Sequence, residues 1–179
     1  MTRRHRACGA RGVGGEPVQR GAEHQREAWE LFQRGYALQK QGRLEEAVRA
    51  YQRSLDIYPT AEAYTFLGWA LSHMGRLEEA IEYCRKAIAL DPDYGNPYND
   101  IGAYLIELGR LDEAIPWLEQ ALRAKRYDHY CFPWMNLGRI WERKGLWYRA
   151  LECYKNALQC DPHYQPAARA LARLRGLLN

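Results

Sequence analysis

Four glycines, Gly35, Gly68, Gly102 and Gly138, fall near the middle of four look-alike segments at intervals of 33, 34 and 36 residues. That spacing constrains the fold more than anything else in the chain. A period in the thirties is the mark of helical units stacked in a row, each burying its apolar face against its neighbours. Every unit splits into two stretches, A and B. In A of the second unit Tyr64, Leu67, Leu71 and Met74 recur at three- and four-residue steps, and in B Leu77, Ile81, Cys84 and Ile88 do the same. Such steps place side chains on one face of a helix.

The boundaries carry their own signals. A second glycine separates A from B in every unit: Gly42, Gly75, Gly109 and Gly145. Glycine is what a helix end needs where the chain turns through positive φ. Helix B is expected to stop at Pro59, Pro92 and Pro162, because proline cannot continue a helix. The third unit has Arg126 in place of that proline. Thr60 and Asn96 are suited to cap the following helices, and Pro97, Pro133 and Pro166 suit a first helical position. Pro116 lies early in a helix B, where it implies one missing hydrogen bond and a mild bend. Small residues recur as well, Ala47, Ala80, Ala114 and Ala150, then Ser54, Ala87, Ala121 and Ala157. They mark places where two helices approach closely.

With the glycines aligned, QGRLEEAVRAYQRSLDIYP, MGRLEEAIEYCRKAIALDP, LGRLDEAIPWLEQALRAKR and KGLWYRALECYKNALQCDP resemble the second halves of tetratricopeptide repeats (TPRs). The resemblance covers residues 28–164 and implies an all-α superhelical solenoid of antiparallel helix pairs. The units are 28–60, 61–94, 95–128 and 131–164. Tyr127 to Tyr130 include a two-residue excess, expected to lengthen a loop or add a turn. Residues 165–179 read as a C-terminal capping helix, with Ala167, Ala168, Leu171 and Leu174 facing the array and Arg169, Arg173 and Arg175 facing out. An incomplete fifth repeat is the other reading of this segment.

Charge is unevenly placed. Residues 1–27 hold six arginines against three glutamates, and the other 152 residues carry 20 basic and 19 acidic side chains. The first 27 residues read as a basic, glycine-rich segment, disordered in its first part. The near-neutral remainder argues against a repeat domain that grips a phosphate backbone, so a nucleic-acid partner is not expected. No run of about 18 apolar residues suggests a membrane-spanning helix. No apolar stretch after the basic start marks a secretory signal. The five cysteines are odd in number and form no C-x-x-C pair, which fits a reducing, cytoplasmic setting.

Little in the sequence points to catalysis. His5, His24, His73, His129 and His163 are scattered, with no H-E-x-x-H spacing, and no phosphate-binding glycine loop with lysine occurs. Glu45, Glu46, Glu78 and Glu79 lie in first turns of B helices, where negative charge complements the helix dipole. The expectation is a protein without catalytic residues, metal or cofactor.

The resemblance implies a concave groove lined by A helices that takes a peptide or partner protein. Carried over by register, its residues are Trp29, Phe32, Tyr36, Phe66 and Trp69 in the first two units, then Asn96, Asn99, Asp100, Asn136, Arg139 and Arg143, with Arg169 and Arg173 on the cap. Aromatic side chains on a rigid surface are low-entropy anchors. At helical spacing they also serve as packing, and a second copy of the chain (a homodimer) or an N-terminal helix around residues 22–27 are further ways to cover them. The asparagines suit an extended peptide backbone, and the arginines make the far end positive. The lysine, asparagine and arginine set with which chaperone-binding TPRs hold a C-terminal carboxylate is missing. The expected function is a protein-interaction scaffold or adaptor, with a self-associating module or a regulatory subunit of a larger complex as the alternative.

Overall fold

The computed structural model describes residues 17–178. Among these the elements are helical: α1 Pro17–Lys40, α2 Leu44–Ile57, α3 Ala61–His73, α4 Leu77–Leu90, α5 Asn96–Glu107, α6 Leu111–Arg123, α7 Cys131–Arg143, α8 Trp147–Cys160 and α9 Gln165–Leu178. Consecutive helices pack as hairpins, and each pair packs on the next. The solenoid expected from the glycine period is the observed fold.

Each hairpin turns at the glycine between A and B. Gly42, Gly75, Gly109 and Gly145 have φ of 75°, 77°, 77° and 72°. In the second unit the Gly75 N–H donates to the Ser72 carbonyl at 2.9 Å and the Arg76 N–H to that of Leu71 at 3.0 Å. Two carbonyls left over at the end of α3 are satisfied in this way, an arrangement open to a residue that accepts positive φ without strain. Just past the glycine, Arg43, Arg76 and Arg110 each grip a first-turn glutamate, Glu46, Glu79 and Glu113, through two nitrogens at 2.5–2.8 Å. The fourth turn has Leu146 and Arg149 at these places and forms no such pair.

The small residues sit where the helices close up. Ala47, Ala80, Ala114 and Ala150 are fully buried, as are Ala87, Ala121 and Ala157, with Ser54 nearly so. A Cβ added to Gly68 would stand 3.0 Å from the Ala80 carbonyl oxygen, and one on Gly138 would stand 2.3 Å from the Tyr154 ring. The helix-A glycine therefore admits the residues of helix B rather than bending the chain. Thr60 caps α3 by accepting the Ala63 N–H at 3.1 Å. Asn96 does not cap α5: it is the first helical residue, and Gly95 occupies the capping place. Pro116 leaves α6 unbroken.

Successive odd-numbered helices touch one another, α1 with α3, α3 with α5 and α5 with α7, whereas no successive even-numbered pair among the described residues packs to a comparable extent. The odd helices therefore crowd along one side and the even ones spread along the other, so the array curves with α1, α3, α5 and α7 inside. At its end α9 packs on α8 and buries Ala167, Ala170, Leu171 and Leu174. Ala168, expected to face the array, is only partly buried, while Arg169, Arg173 and Arg175 are exposed as expected.

One feature differs from the sequence reading. The first unit was expected to begin at Ala28, yet α1 begins at Pro17. Residues 21–27 continue it in line, all exposed, and do not fold back over the aromatic stripe. This stretch has no apolar face to bury, so periodicity does not reveal it; its helix rests on favourable residues such as Ala, Glu, Gln and Arg. The expectation of disorder for residues 1–16, and Cys8, lie outside the described residues.

The two-residue excess at Tyr127 to Tyr130 lengthens a loop, as expected. The connection from α6 to α7 is longer than the others, but it is tied down. The Arg126 N–H donates to the Asp93 carbonyl at 2.9 Å and the Gly95 N–H to that of Arg126 at 3.1 Å, a single parallel bridge. Tyr127 is buried against Gly95. The missing repeat proline is thus an N–H put to use, because proline has none to donate. The Arg126 guanidinium pairs with Glu62 at 2.7 Å and Asp91 at 2.6 Å and lies over the Tyr94 ring.

Candidate interaction surface

In the near half of the inner side, α1 and α3 bring four rings into one run. Trp29 stacks on Phe32 at 5.3 Å between centroids, and Phe32 meets Phe66 edge-on at 5.2 Å, as does Tyr36 at 5.7 Å. Edge-to-face contacts at these distances are the favourable geometry for aromatic quadrupoles. Phe32 is buried between this run and Tyr51 of α2, so its ring is a packing residue and not open groove. Phe66 and Trp69 are half-buried, and Tyr36 and Trp29 exposed. Trp29, 57% exposed, borders an apolar cleft of about 440 Å³ lined also by Ala28, Tyr58 and Thr60. Trp69 lies apart, its ring over His73.

In the far half the polar side chains expected to meet a ligand are largely engaged with one another. Asn99 and Asn136 are buried, and the Asn136 amide donates to Asn99 Oδ1 at 3.1 Å. They join α5 to α7 instead of presenting free amides, since a buried amide left unpaired would cost about 1–3 kcal/mol. Asn96 remains partly exposed at the start of α5. Arg139 approaches Asn136 Oδ1 at 3.4 Å, and Arg143 donates to the Ile106 carbonyl at 2.9 Å. Arg173 grips Glu142 at 2.5 and 2.9 Å, and Glu142 also accepts the Tyr154 hydroxyl at 2.8 Å. The Arg173 hydrogen bonds hold the Glu142 carboxyl below its usual range. Arg169 is exposed on α9.

Asp100 lies between the two halves. Burial pushes its carboxyl up to about 7, against a hydrogen bond from Asn99 that lowers it, and no lysine or arginine among the described residues pairs with it. Its charge is felt at the buried Cys84, Tyr94, Tyr104 and Tyr127, while Asp100 itself is partly exposed. Burial without a cation disfavours the ionised form.

Register thus located the inner side, but it did not separate Phe32, Asn99 and Asn136 from their exposed neighbours. It also passed over the exposed Leu146, Trp147 and Tyr148 at the fourth turn, whose signal is the break from the G-R-L-E-E pattern. Among the described residues no group of three metal-ligating side chains occurs, and no helix is long and apolar enough to cross a membrane.

A right-sized helix pair, a glycine for the helix-B side chain and a positive-φ glycine at the turn, repeated four times, define an α-solenoid of the helix-pair class. Family models described as tetratricopeptide repeat match residues 32–95, 71–130 and 131–164. The chain belongs to the tetratricopeptide repeat family. Solved structures agree on the fold. PilF of Pseudomonas aeruginosa superposes with a TM-score of 0.79 at 24% identity, over 85% of this chain and 69% of that one. PilW, described as a widely conserved type IV pilus biogenesis factor, gives 0.76 at 22%, over 84% and 69%. YrrB, described as a TPR protein with an unusual peptide-binding site, gives 0.66 at 20%, over 80% and 73%. No curated protein sequence matches the chain.

Proposed function

We propose that this protein is an interaction scaffold that receives a peptide segment or partner protein on its inner side. The observation that carries the reading is the aromatic run of α1 and α3, where Trp29 and Tyr36 stay exposed on a rigid, packed base beside an apolar cleft. Exposed rings held in place lose little entropy when covered, and tryptophan and tyrosine are the residues that dominate interface energies. The family supports the same class, since TPR proteins are generally non-catalytic scaffolds. YrrB, of like fold, is itself described as having a peptide-binding site. Arg139, Arg143, Arg169 and Arg173 give the far end its positive charge, while Asn96 and Asp100 stand between the two.

Affinity capture with the wild type and with Trp29→Ala/Trp69→Ala tests it. Phe66 is better left intact, because its ring also packs on Phe32 and Tyr51. Partners lost from the variant at unchanged melting temperature support the inner side as receptor; an unchanged partner set sinks it. Light scattering on the same pair reads the alternative, since loss of a dimer in the variant assigns the rings to self-association.

A further inference from the structure

The fourth hairpin turn departs from the other three in a way that folding does not require. Where the first three units place an arginine, a leucine and an acidic residue, it has Leu146, Trp147 and Tyr148. Leu146 and Trp147 are each 41% exposed and Tyr148 is 78% exposed. Three adjacent large apolar side chains in water, at a site where this same chain shows a charged and soluble solution three times, are a cost to the isolated protein. The patch is continuous with a cleft of about 400 Å³ that Trp147 lines together with Met135, Arg139, Arg143, Ala170 and Arg173.

Charge decides what suits it. Glu142, the acidic residue of that cleft, is already occupied by Arg173 and the Tyr154 hydroxyl. Arg139 and Arg143 bond only neutral oxygens, and Arg149 lies over the Trp141 ring. Among the described residues none of these three has a carboxylate within 4 Å. The surface is therefore aromatic at its rim and holds uncompensated guanidinium groups inside.

We infer that this turn and cleft form a docking surface for a segment of another protein that carries an apolar side chain next to aspartate or glutamate. The apolar side chain covers Trp147 and Tyr148, and the carboxylate turns into the cleft to pair with Arg143 and Arg139, a charge-assisted contact. A flexible chain reaches both parts at once. A flat anionic bilayer meets Leu146 and Tyr148 and leaves the arginines between α7 and α9 behind. The inference rests on the reading of the array as a receptor for protein segments, and it places one contact outside the aromatic run of α1 and α3.

The test selects binders to the full chain from a displayed library of random short peptides. The key variant is Leu146→Arg/Trp147→Leu/Tyr148→Glu/Arg149→Glu, which rewrites the fourth turn in the pattern of the other three and so preserves the fold. The expected result is selected peptides that combine an apolar residue with Asp or Glu, and that bind the variant at least about tenfold more weakly at equal melting temperature. Changing their acidic residues to amides should weaken binding to the wild type alike. Selected peptides that bind the variant as well as the wild type, or a selection without acidic-apolar sequences, overturns the proposal. Peptides lost instead from Trp29→Ala/Trp69→Ala assign binding to the near half and leave the scaffold reading standing without this site. Sedimentation with phosphatidylglycerol vesicles, or self-association, that the turn variant abolishes makes the patch a lipid or self contact and overturns it too.

Discussion

The first and fourth units place the same side chain under the same glycine and finish the contact differently. Tyr51 lies beneath Gly35 and Tyr154 beneath Gly138, both fully buried. Tyr51 donates its hydroxyl to the neutral Gln39 at 2.8 Å, and Tyr154 donates to the carboxylate of Glu142 at the same distance. Glu142 in turn is held by Arg173 of α9. The repeat thus dictates the packing of ring on glycine, and the neighbouring helix dictates the polar end. The same division runs along the inner side. Near-half rings satisfy one another by edge contacts, far-half amides and guanidinium groups by hydrogen bonds, and only what each set leaves over is free for a ligand.

Overpacking the glycines should give the largest effect. An added Cβ would stand 2.3 Å from the Tyr154 ring at Gly138 and 2.7 Å from that of Tyr51 at Gly35. Gly138→Ala should cost about 3 kcal/mol and Gly35→Ala somewhat less, read by urea denaturation. Equal stability of Gly138→Ala and wild type would break the idea that these glycines make room for the ring.

Asp100, at the border between the halves, accepts a hydrogen bond from Asn99 but has no cation beside it. Its folded carboxyl near 7 stands above the unfolded value of about 4. The folded state therefore binds the extra proton between those values, and stability falls as pH rises through that window, with the full cost present above about 7. Asp100→Asn should raise stability at pH 8 by on the order of 2 kcal/mol, leave it nearly unchanged at pH 4, and flatten the profile between. A parallel profile for the two proteins would show the carboxyl to be unstrained.

Hydroxyl removal sharpens the comparison of the two tyrosines. Tyr154→Phe should cost about 1.5–2 kcal/mol, because it withdraws a donor from a charged acceptor, and Tyr51→Phe about 1 kcal/mol. If the order reverses, α9 does not reinforce the fourth unit through Glu142. The smallest effect is expected at the turns. Arg76→Ala breaks an exposed pair with Glu79 and should move the melting temperature by no more than about a degree or two, less still in high salt.

The chain read in isolation locates much of this. The glycine period, the positive-φ turn glycines, the small residues, the Thr60 cap and the buried face of α9 are all local or periodic signals, and the fold follows them. The site is less legible. Trp29 and Phe32 are three residues apart on one helix, yet Phe32 is enclosed by Tyr51 and Phe66 from two other helices while Trp29 is open. Asn99 and Asn136 find each other across 37 positions, and Arg126 finds Glu62 across 64. Nothing near those residues in the sequence specifies such partners.

The sequence alone determined that this is a TPR array of four units followed by one more helix and that its inner face changes from aromatic to polar, because helix periodicity and glycine conformations are set within a few residues. Tertiary structure decided how far α1 extends, what Arg126 does in place of a proline, and which inner residues remain open. Those outcomes depend on the distances between helices, and that spacing is settled only when the whole array packs.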